Sequence, residues 1–210
     1  RPVVRYFDRI QRPEQLLTAL PRALRVMTDP ANCGPVCLAF CQDVQAEAHD
    51  WPEEFFAPRV WRIRRPEPDR AELAEVAALI RAATAPVIVA GGGVIYSGAG
   101  AALAEFASRH NIPVIETQAG KSSLAQGHAM NYGAAGVDGS AAANAVAGRA
   151  DLILGIGTRL QDFTTGSRTL FSGAKLVAIN VQPYDAMKHG AVALVADAKV
   201  ALERLGAALG

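Results

Sequence analysis

Residues Ala150–Gly166 read ADLILGIGTRLQDFTTG, and the fold class follows from them. Asp151 opens an apolar run, Leu152, Ile153, Leu154 and Ile156, with no polar alternation. Such a run suits a strand buried on both faces, as in a parallel sheet covered by helices. Gly155 and Gly157 permit a tight turn, and Thr158, Arg159 and Asp162 follow where the strand should end. In open α/β sheets, ligands occupy the crevice beyond the carboxyl ends of the strands. Pro86–Gly93, PVIVAGGG, has the same form, so the two stretches are expected to be neighbouring strands beneath one crevice.

Outward from this pair, strands and helices alternate. The second domain begins near Glu67, and a helix starts there with Asp69 and Glu72 as a capping-box variant and Leu73, Val76, Ala77 and Ile80 as its apolar face. Strand Pro86–Gly91 precedes helix Ala99–His110, then strand Pro113–Glu116 and a glycine-spaced loop, Thr117–Gly136, with room for one short strand. Helix Ala141–Ala147 leads to the strand at Asp151. A short helix at Ser167–Phe171, strand Lys175–Val181, an edge strand Val192–Val195 and a closing helix capped by Asp197 complete the series. This alternation implies right-handed crossovers and an α/β fold: a doubly wound, Rossmann-like parallel sheet of about six strands in the order 3-2-1-4-5-6.

The amino-terminal text is different. Pro13–Met27 has a helical stripe of Leu16, Leu17, Leu20, Leu24 and Met27, which Pro21 should kink or split. A turn at Asp29–Gly34 leads to strand Pro35–Phe40. One helix and one strand cannot bury an apolar face on both sides, so they read as the last piece of a neighbouring domain. Residues 42–66 are irregular, with Trp51, Phe55, Phe56 and Trp61 among prolines and charges, and read as a linker whose aromatics are pinned on a surface.

With 50% hydrophobic and 20% charged residues and a net charge of +1, the chain has the balance of an ordinary globular protein and no dedicated nucleic-acid surface. No apolar run approaches the roughly 20 residues of a membrane helix. Cys33, Cys37 and Cys41 match no zinc pattern of paired close cysteines, and along an extended strand they lie too far apart to share one metal. They read as buried small hydrophobes in a reducing cytoplasm. The chain lacks an initiator Met and reads as a piece of something longer.

Motifs for chemistry are incomplete. Gly91, Gly92 and Gly93 would let a pyrophosphate approach the backbone, but Tyr96 stands where the dinucleotide fingerprint needs its third glycine. Ala119–Ser122 resembles the end of a P-loop, but Ile115 occupies the place of its first glycine. His49, His110, His128 and His189 form no local metal pair, and no nucleophile elbow is present. The residues therefore support a Rossmann-like domain and no catalytic centre.

Taken together, PVIVAGGG, IPVIETQAGKS, ANAVAGRADLILGIGTRLQDFTTG and KLVAINVQP resemble the central domain of thiamine-diphosphate enzymes of the acetolactate synthase type. Two stretches, RYFDRIQRPEQLLTALPRALRVMTDPA and ETQAGKSS, are similar to the branch of that family that opens a ring in inositol catabolism. The resemblance implies residues 1–41 as the end of a pyrimidine-binding domain, 42–66 as a linker and 67–210 as the central domain. It implies a cytoplasmic homo-oligomer that uses thiamine diphosphate and magnesium for carbon–carbon bond hydrolysis, with the activating glutamate before Arg1 and the GDG…N metal motif after Gly210. No catalytic or metal-binding residue is expected in this stretch, and neither nucleic acid nor membrane as a partner. Its partners would be the pyrimidine- and diphosphate-binding domains of the same protein.

Some members of the family hold FAD or ADP in the central crevice. The matching positions are Gly91, Gly92, Gly93, Gly120, Lys121, Gly133, Gly136, Thr158, Arg159, Asp162, Asn180 and Gln182. Where relatives carry two aspartates this chain has Asn180 and Gln182, and a methionine–histidine pair is replaced by Ala134–Ala135. Those departures remove ribose and ring contacts, which favours a domain that serves architecture. The alternative is a free-standing NAD-, FAD- or ADP-binding module of the same fold, against which the orphan helix and strand weigh.

Overall fold

The computed structural model describes residues 2–210, which divide into two compact units at Arg64/Arg65. The first unit holds β1 (Tyr6–Ile10), α1 (Leu16–Met27) and β2 (Val36–Phe40), with the two strands paired in parallel from Tyr6↔Val36 to Ile10↔Phe40. It is thus a complete β-α-β crossover, one strand more than the sequence suggested. YFDRI alternates too weakly to announce a strand, and its pairing with β2 supplies what the local pattern lacks. The helix is not split: Pro21 lies inside it, where the ring forfeits a single i→i−4 bond and the chain continues helical on both sides. Ile10, Ala19 and Val44 form a small core with Leu16 and Leu38 packed against it. Cys33 is exposed and Cys37 and Cys41 are half-buried, so the expectation of buried cysteines fails outright at Cys33 and is met only in part at Cys37 and Cys41.

The second unit is the doubly wound sheet. Its strands β3 (Pro86–Ala90), β4 (Val114–Glu116), β5 (Asn131–Ala134), β6 (Leu152–Ile156), β7 (Lys175–Asn180) and β8 (Val192–Val195) lie in the order β5-β4-β3-β6-β7-β8, all parallel. Counted within this unit, that is 3-2-1-4-5-6, and β3 and β6 are neighbours with Pro86 opposite Leu152 and Ala90 opposite Ile156. Alternate residues of these central strands enter opposite layers, as a period of two demands. Ile88, Ala90, Leu152, Leu154 and Ile156 join a core with α2 (Arg70–Ala82), α4 (Gly100–His110) and α8 (Ala198–Leu209). Val87, Val89 and Ile153 join the other, with Ala143 and Ala147 of α5 (Ala141–Gly148). Each fully buried aliphatic side chain of this kind contributes about 1.5–3 kcal/mol.

The amino ends of β3 and β6 are tied by one side chain. The Asp151 carboxylate accepts from Thr84 N and Oγ1, both at 2.6 Å, and from Ala85 N at 3.0 Å. Asp69 caps α2 through Ala71 N and Glu72 N, but Glu72 does not return to the cap: its Oε2 accepts from Val195 N at 2.8 Å and ties α2 to edge strand β8. Asp197 caps α8 through Lys199 N and Val200 N and pairs with Arg65 at 2.8 Å.

Two helices differ from the sequence reading. A separate short helix, α3 (Gly92–Tyr96), precedes α4, because Gly98 adopts a left-handed turn at φ +66° between them. The expected helix at Ser167–Phe171 is a series of turns, and the helix there is α6 (Asp162–Thr165), ended by Gly166 at φ +55°. A last short helix, α7 (Pro183–Ala186), follows β7. Among the described residues no helix is long and apolar enough to cross a membrane.

Candidate functional site

The crevice beyond the carboxyl ends of β3, β4 and β6 is lined by backbone. Gly91 N donates to Ile156 O and Gly93 N to Gly157 O, both at 2.9 Å. A methyl group on Gly93 would lie 2.6 Å from Gly157 Cα, and one on Gly91 would lie 2.6 Å from Thr158 Cβ. The glycines thus let the first turn of α3 touch the turn after β6. Their two amides are used in holding these segments together and are not directed at a ligand. Gly92 is buried, and a methyl there would meet Ala119 O at 3.2 Å.

Gly120 closes the adjoining side. It sits in the single turn Gln118–Gly120 after β4, where a methyl would overlap the Ala90 carbonyl and reach Gly91 Cα at 2.9 Å. Thr117 caps that turn through Gly120 N at 3.0 Å, and Ser123 Oγ donates to Gly120 O at 2.6 Å. The carboxylate of Glu116, buried at the end of β4, accepts from Leu124 N at 2.9 Å and Ser122 N at 3.3 Å. It therefore serves the loop's own amides, and Lys121, just before them, is exposed.

Of the two remaining glycines, Gly136 is part of the packed region and Gly133 is not. Gly136, at φ +99°, lies against Phe163 and Thr164 of α6, and its N–H and C=O are both held by the Asn144 side-chain amide at 3.0 and 2.9 Å. Gly133, at φ +90°, has Ser140 Oγ at 3.6 Å from a built methyl and is set apart from the central turn.

The β6 turn carries the polar residues. Thr158 is buried, its Oγ1 accepting from Leu160 N at 3.2 Å and its carbonyl accepting from Asn180 Nδ2 at 3.1 Å. Asn180 Oδ1 accepts from Gln182 N at 3.0 Å, and Gln182 caps α7 through Tyr184 N. Leu160 is a buried aliphatic residue at φ +46°, a region that side chains with a Cβ rarely enter. Its carbonyl lies 3.0 Å from His189 Nε2, and its side chain fills the space beside Gly155. Arg159 and Asp162 on this turn are exposed.

The sequence-derived residues therefore divide. Gly91, Gly93, Gly120, Thr158, Asn180 and Gln182 are brought together through backbone packing and hydrogen bonds, and Gly92 joins them. Lys121, Arg159 and Asp162 stand exposed at the rim. Asn144, Leu160 and His189 complete the arrangement and were not legible, since an asparagine in an alanine-rich helix and a leucine after an arginine carry no local signal. Among the described residues no group of three acidic, cysteine or histidine side chains is placed to hold a metal.

The rim is also where the second unit exposes most of its large apolar side chains. Ile95 and Tyr96 follow β3, Tyr132 and Val137 lie in and after β5, Phe163 follows β6, and Tyr184 and Met187 follow β7. The opposite end of α4 holds a different feature, a groove against α8 lined by Phe106, Arg109, His110 and Leu202. There His110 Nε2 is buried without a hydrogen-bond partner, and burial, followed by the charge of Arg109, holds the imidazole below its ordinary pKa.

Comparison with known proteins bears on this geometry. The family model for the thiamine pyrophosphate enzyme central domain matches residues 73–205. A 3D-(3,5/4)-trihydroxycyclohexane-1,2-dione hydrolase from Geobacillus thermodenitrificans is 50% identical over the whole chain, which covers 33% of that protein. The protein of the same name from Bacillus subtilis is 50% identical over 98% of the chain, covering 32% of its own length. The chain thus spans about a third of the length of the curated relatives it matches. Among solved structures, a putative thiamin diphosphate-dependent enzyme from Mycobacterium smegmatis superposes with a TM-score of 0.79 at 26% identity, over 100% of this chain and 40% of that one. Benzoylformate decarboxylase from Polynucleobacter necessarius gives 0.76 at 25% identity, over 98% and 38%.

Proposed function

The chain belongs to the thiamine pyrophosphate enzymes, as their central domain, and from that membership we propose that it is the architectural middle of a carbon–carbon bond hydrolase. The parent enzyme would open the ring of trihydroxycyclohexane-1,2-dione to 5-deoxyglucuronate in inositol catabolism. The identity of 50% over the full chain to a hydrolase of that name carries the reading. In the parent, residues 1–41 are the end of the pyrimidine-binding domain, 42–66 a linker and 67–210 the central domain.

The residues here do not fit thiamine diphosphate and magnesium. Magnesium needs several oxygen ligands in octahedral array and bridges carboxylates to phosphates. Glu116 already accepts two amides, and Asp162 stands exposed on α6. The cofactor pair is therefore assigned to the rest of the parent, and no chemical step is assigned to this chain. What its own residues do is mechanical. The Gly93–Gly157 contact, the Gly120 turn and the Asn144–Gly136 clamp join the loops at the carboxyl end of the sheet into one rigid surface.

The same contacts speak against a dinucleotide in the crevice. FAD, ADP or NAD would need amides at the turn after β3, and those of Gly91 and Gly93 are engaged. The decisive experiment uses the full-length parent supplied with thiamine diphosphate and magnesium. Ring opening of the dione by water, followed by NMR, is expected, and a parent that leaves the dione unchanged overturns the reading. For the chain alone, calorimetric titration is expected to show no micromolar affinity for thiamine diphosphate with magnesium, nor for FAD, ADP or NAD.

A further inference from the structure

The groove between α4 and α8 holds a polar atom that the packing leaves unserved. The groove has a volume of about 290 Å³, and small residues on both helices, Ala102, Gly206 and Ala207, line much of it. A methyl on Gly206 would stand 3.9 Å from Phe106 Cδ2, so the two helices do not close tightly there. His110 packs on Phe106, one helical turn earlier, with ring centroids 4.7 Å apart. The residue as a whole is half-buried, but its Nε2 is wholly buried and has no hydrogen-bond partner.

The two charge states of the ring fare differently in that place. A neutral imidazole can carry its hydrogen on Nδ1 and leave Nε2 bare, whereas an imidazolium carries hydrogen on both nitrogens. Protonation in the closed groove therefore buries a charged donor without an acceptor, which costs far more than burying a bare lone pair. Of the charged side chains that line the groove, Arg109 on α4 opposes the imidazolium. The carboxylates, Glu105 on α4 and Glu203 on α8, are exposed and make no bond to Nε2. The carboxyl end of α4 would favour a cation, but its carbonyl at Ala107 already accepts from Ile112 N at 2.9 Å.

We propose that His110 is an acid-sensitive latch on the α4–α8 seam, closed while the neutral ring packs on Phe106 and released when the imidazolium leaves the groove for solvent. Phe106 and Leu202 both belong to the larger core of the second unit, so release uncovers apolar surface that the closed seam hides. An open seam returns the ring to ordinary titration near about pH 6.5, while the closed seam holds it lower. Opening therefore becomes easier as pH falls from the ordinary value towards the lowered one, and levels off below it. The latch is independent of the reaction assigned to the parent.

Hydrogen–deuterium exchange of the full 210-residue chain, corrected for the intrinsic pH dependence of exchange, tests the latch. Between about pH 7.5 and about pH 5.5, protection in the last turn of α4 and at residues 202–207 of α8 is expected to fall about tenfold. The amides of β3 and β6 are expected to keep theirs. His110→Gln takes up no proton in this range and should hold the protection of the seam constant. His110→Leu should do the same, and replaces it if the amide impairs folding. Nitrogen NMR at about pH 7.5 should show the His110 hydrogen on Nδ1. Seam protection that is unchanged in the parent sequence, or a loss that persists in both variants, overturns the proposal. An equal loss in β3 and β6 also overturns it, since the opening is then global.

Discussion

Replacing Gly157 with alanine probes the contact between α3 and the β6 turn, and three other glycines isolate its parts. At Gly157 the new methyl meets two obstacles. The backbone is left-handed, at φ +61°, and the methyl would lie 2.6 Å from Gly93 Cα and 2.9 Å from Val94 N. The left-handed conformation costs about 1–2 kcal/mol for a residue with a Cβ, and forcing extra volume into a packed site costs about 1–3 kcal/mol. Gly157→Ala should therefore destabilise by about 2–5 kcal/mol. Gly98→Ala meets only the first obstacle, since its φ is +66° and nothing lies within 4 Å of its methyl; about 1–2 kcal/mol is expected. Gly93→Ala meets only the second, and about 1–3 kcal/mol is expected. Gly148→Ala meets neither and, at the end of α5, should stabilise by about 0.5–1 kcal/mol. Because Gly93 and Gly157 face one gap, the double variant should lose less than the sum of the two. Urea unfolding followed by far-ultraviolet circular dichroism is the appropriate assay. Trp51 and Trp61 both lie in the first unit, so fluorescence would report on the other part of the chain. If Gly157→Ala and Gly98→Ala agree to within about 0.5 kcal/mol, the close approach imposes no constraint and the reasoning is refuted.

Other perturbations have equally definite outcomes. Burial depresses the His110 pKa, so the stability it confers is complete above about pH 6.5 and falls as pH drops towards the lowered native value. His110→Leu should flatten that acid-side decline in melting temperature; an unchanged pH profile would exclude His110 as its source. The Asp151 carboxyl is held below its ordinary value, chiefly by the Thr84 hydroxyl and then by the Thr84 amide. Its contribution is present above about pH 4 and is lost as pH falls through the lowered native value, so Asp151→Asn should remove that part of the acid transition. Asn144→Leu leaves both backbone groups of Gly136 without their partner and should cost about 1–3 kcal/mol; a neutral result in thermal denaturation would show that the clamp is dispensable.

The second unit was legible because its signals are local. Unbroken apolar runs at 86–90 and 152–156, ended by glycines, specify buried parallel strands, and the alternation with helices then fixes the order of the sheet. Asp69 and Asp197 were readable as caps for the same reason. What was hidden depends on partners distant in sequence. β1 exists by pairing with β2, and Glu72 has the spacing of a capping box but bonds to β8 instead. At the crevice, the glycines were visible, but their purpose was not. A glycine that admits a phosphate and one that admits another backbone look identical in sequence, and only the positions of Gly157 and Ala90 distinguish them.

The pairing of β3 with β6 also dictates when the domain can form. Ala85 and Asp151, at the start of that pair, are 66 residues apart, and β4, β5 and α5 are all encoded between them. The centre of the sheet therefore depends on one of the longer loop closures in the chain, and such non-local contacts slow folding. During synthesis, β3 must wait for Ile156 to leave the ribosome before its second neighbour exists, with one edge of a strongly apolar strand open throughout. The β3–α3–α4–β4 crossover, complete by Glu116, is the natural shelter during that interval. Mutations that weaken it should reduce the yield of folded protein more than they lower the stability of what has folded.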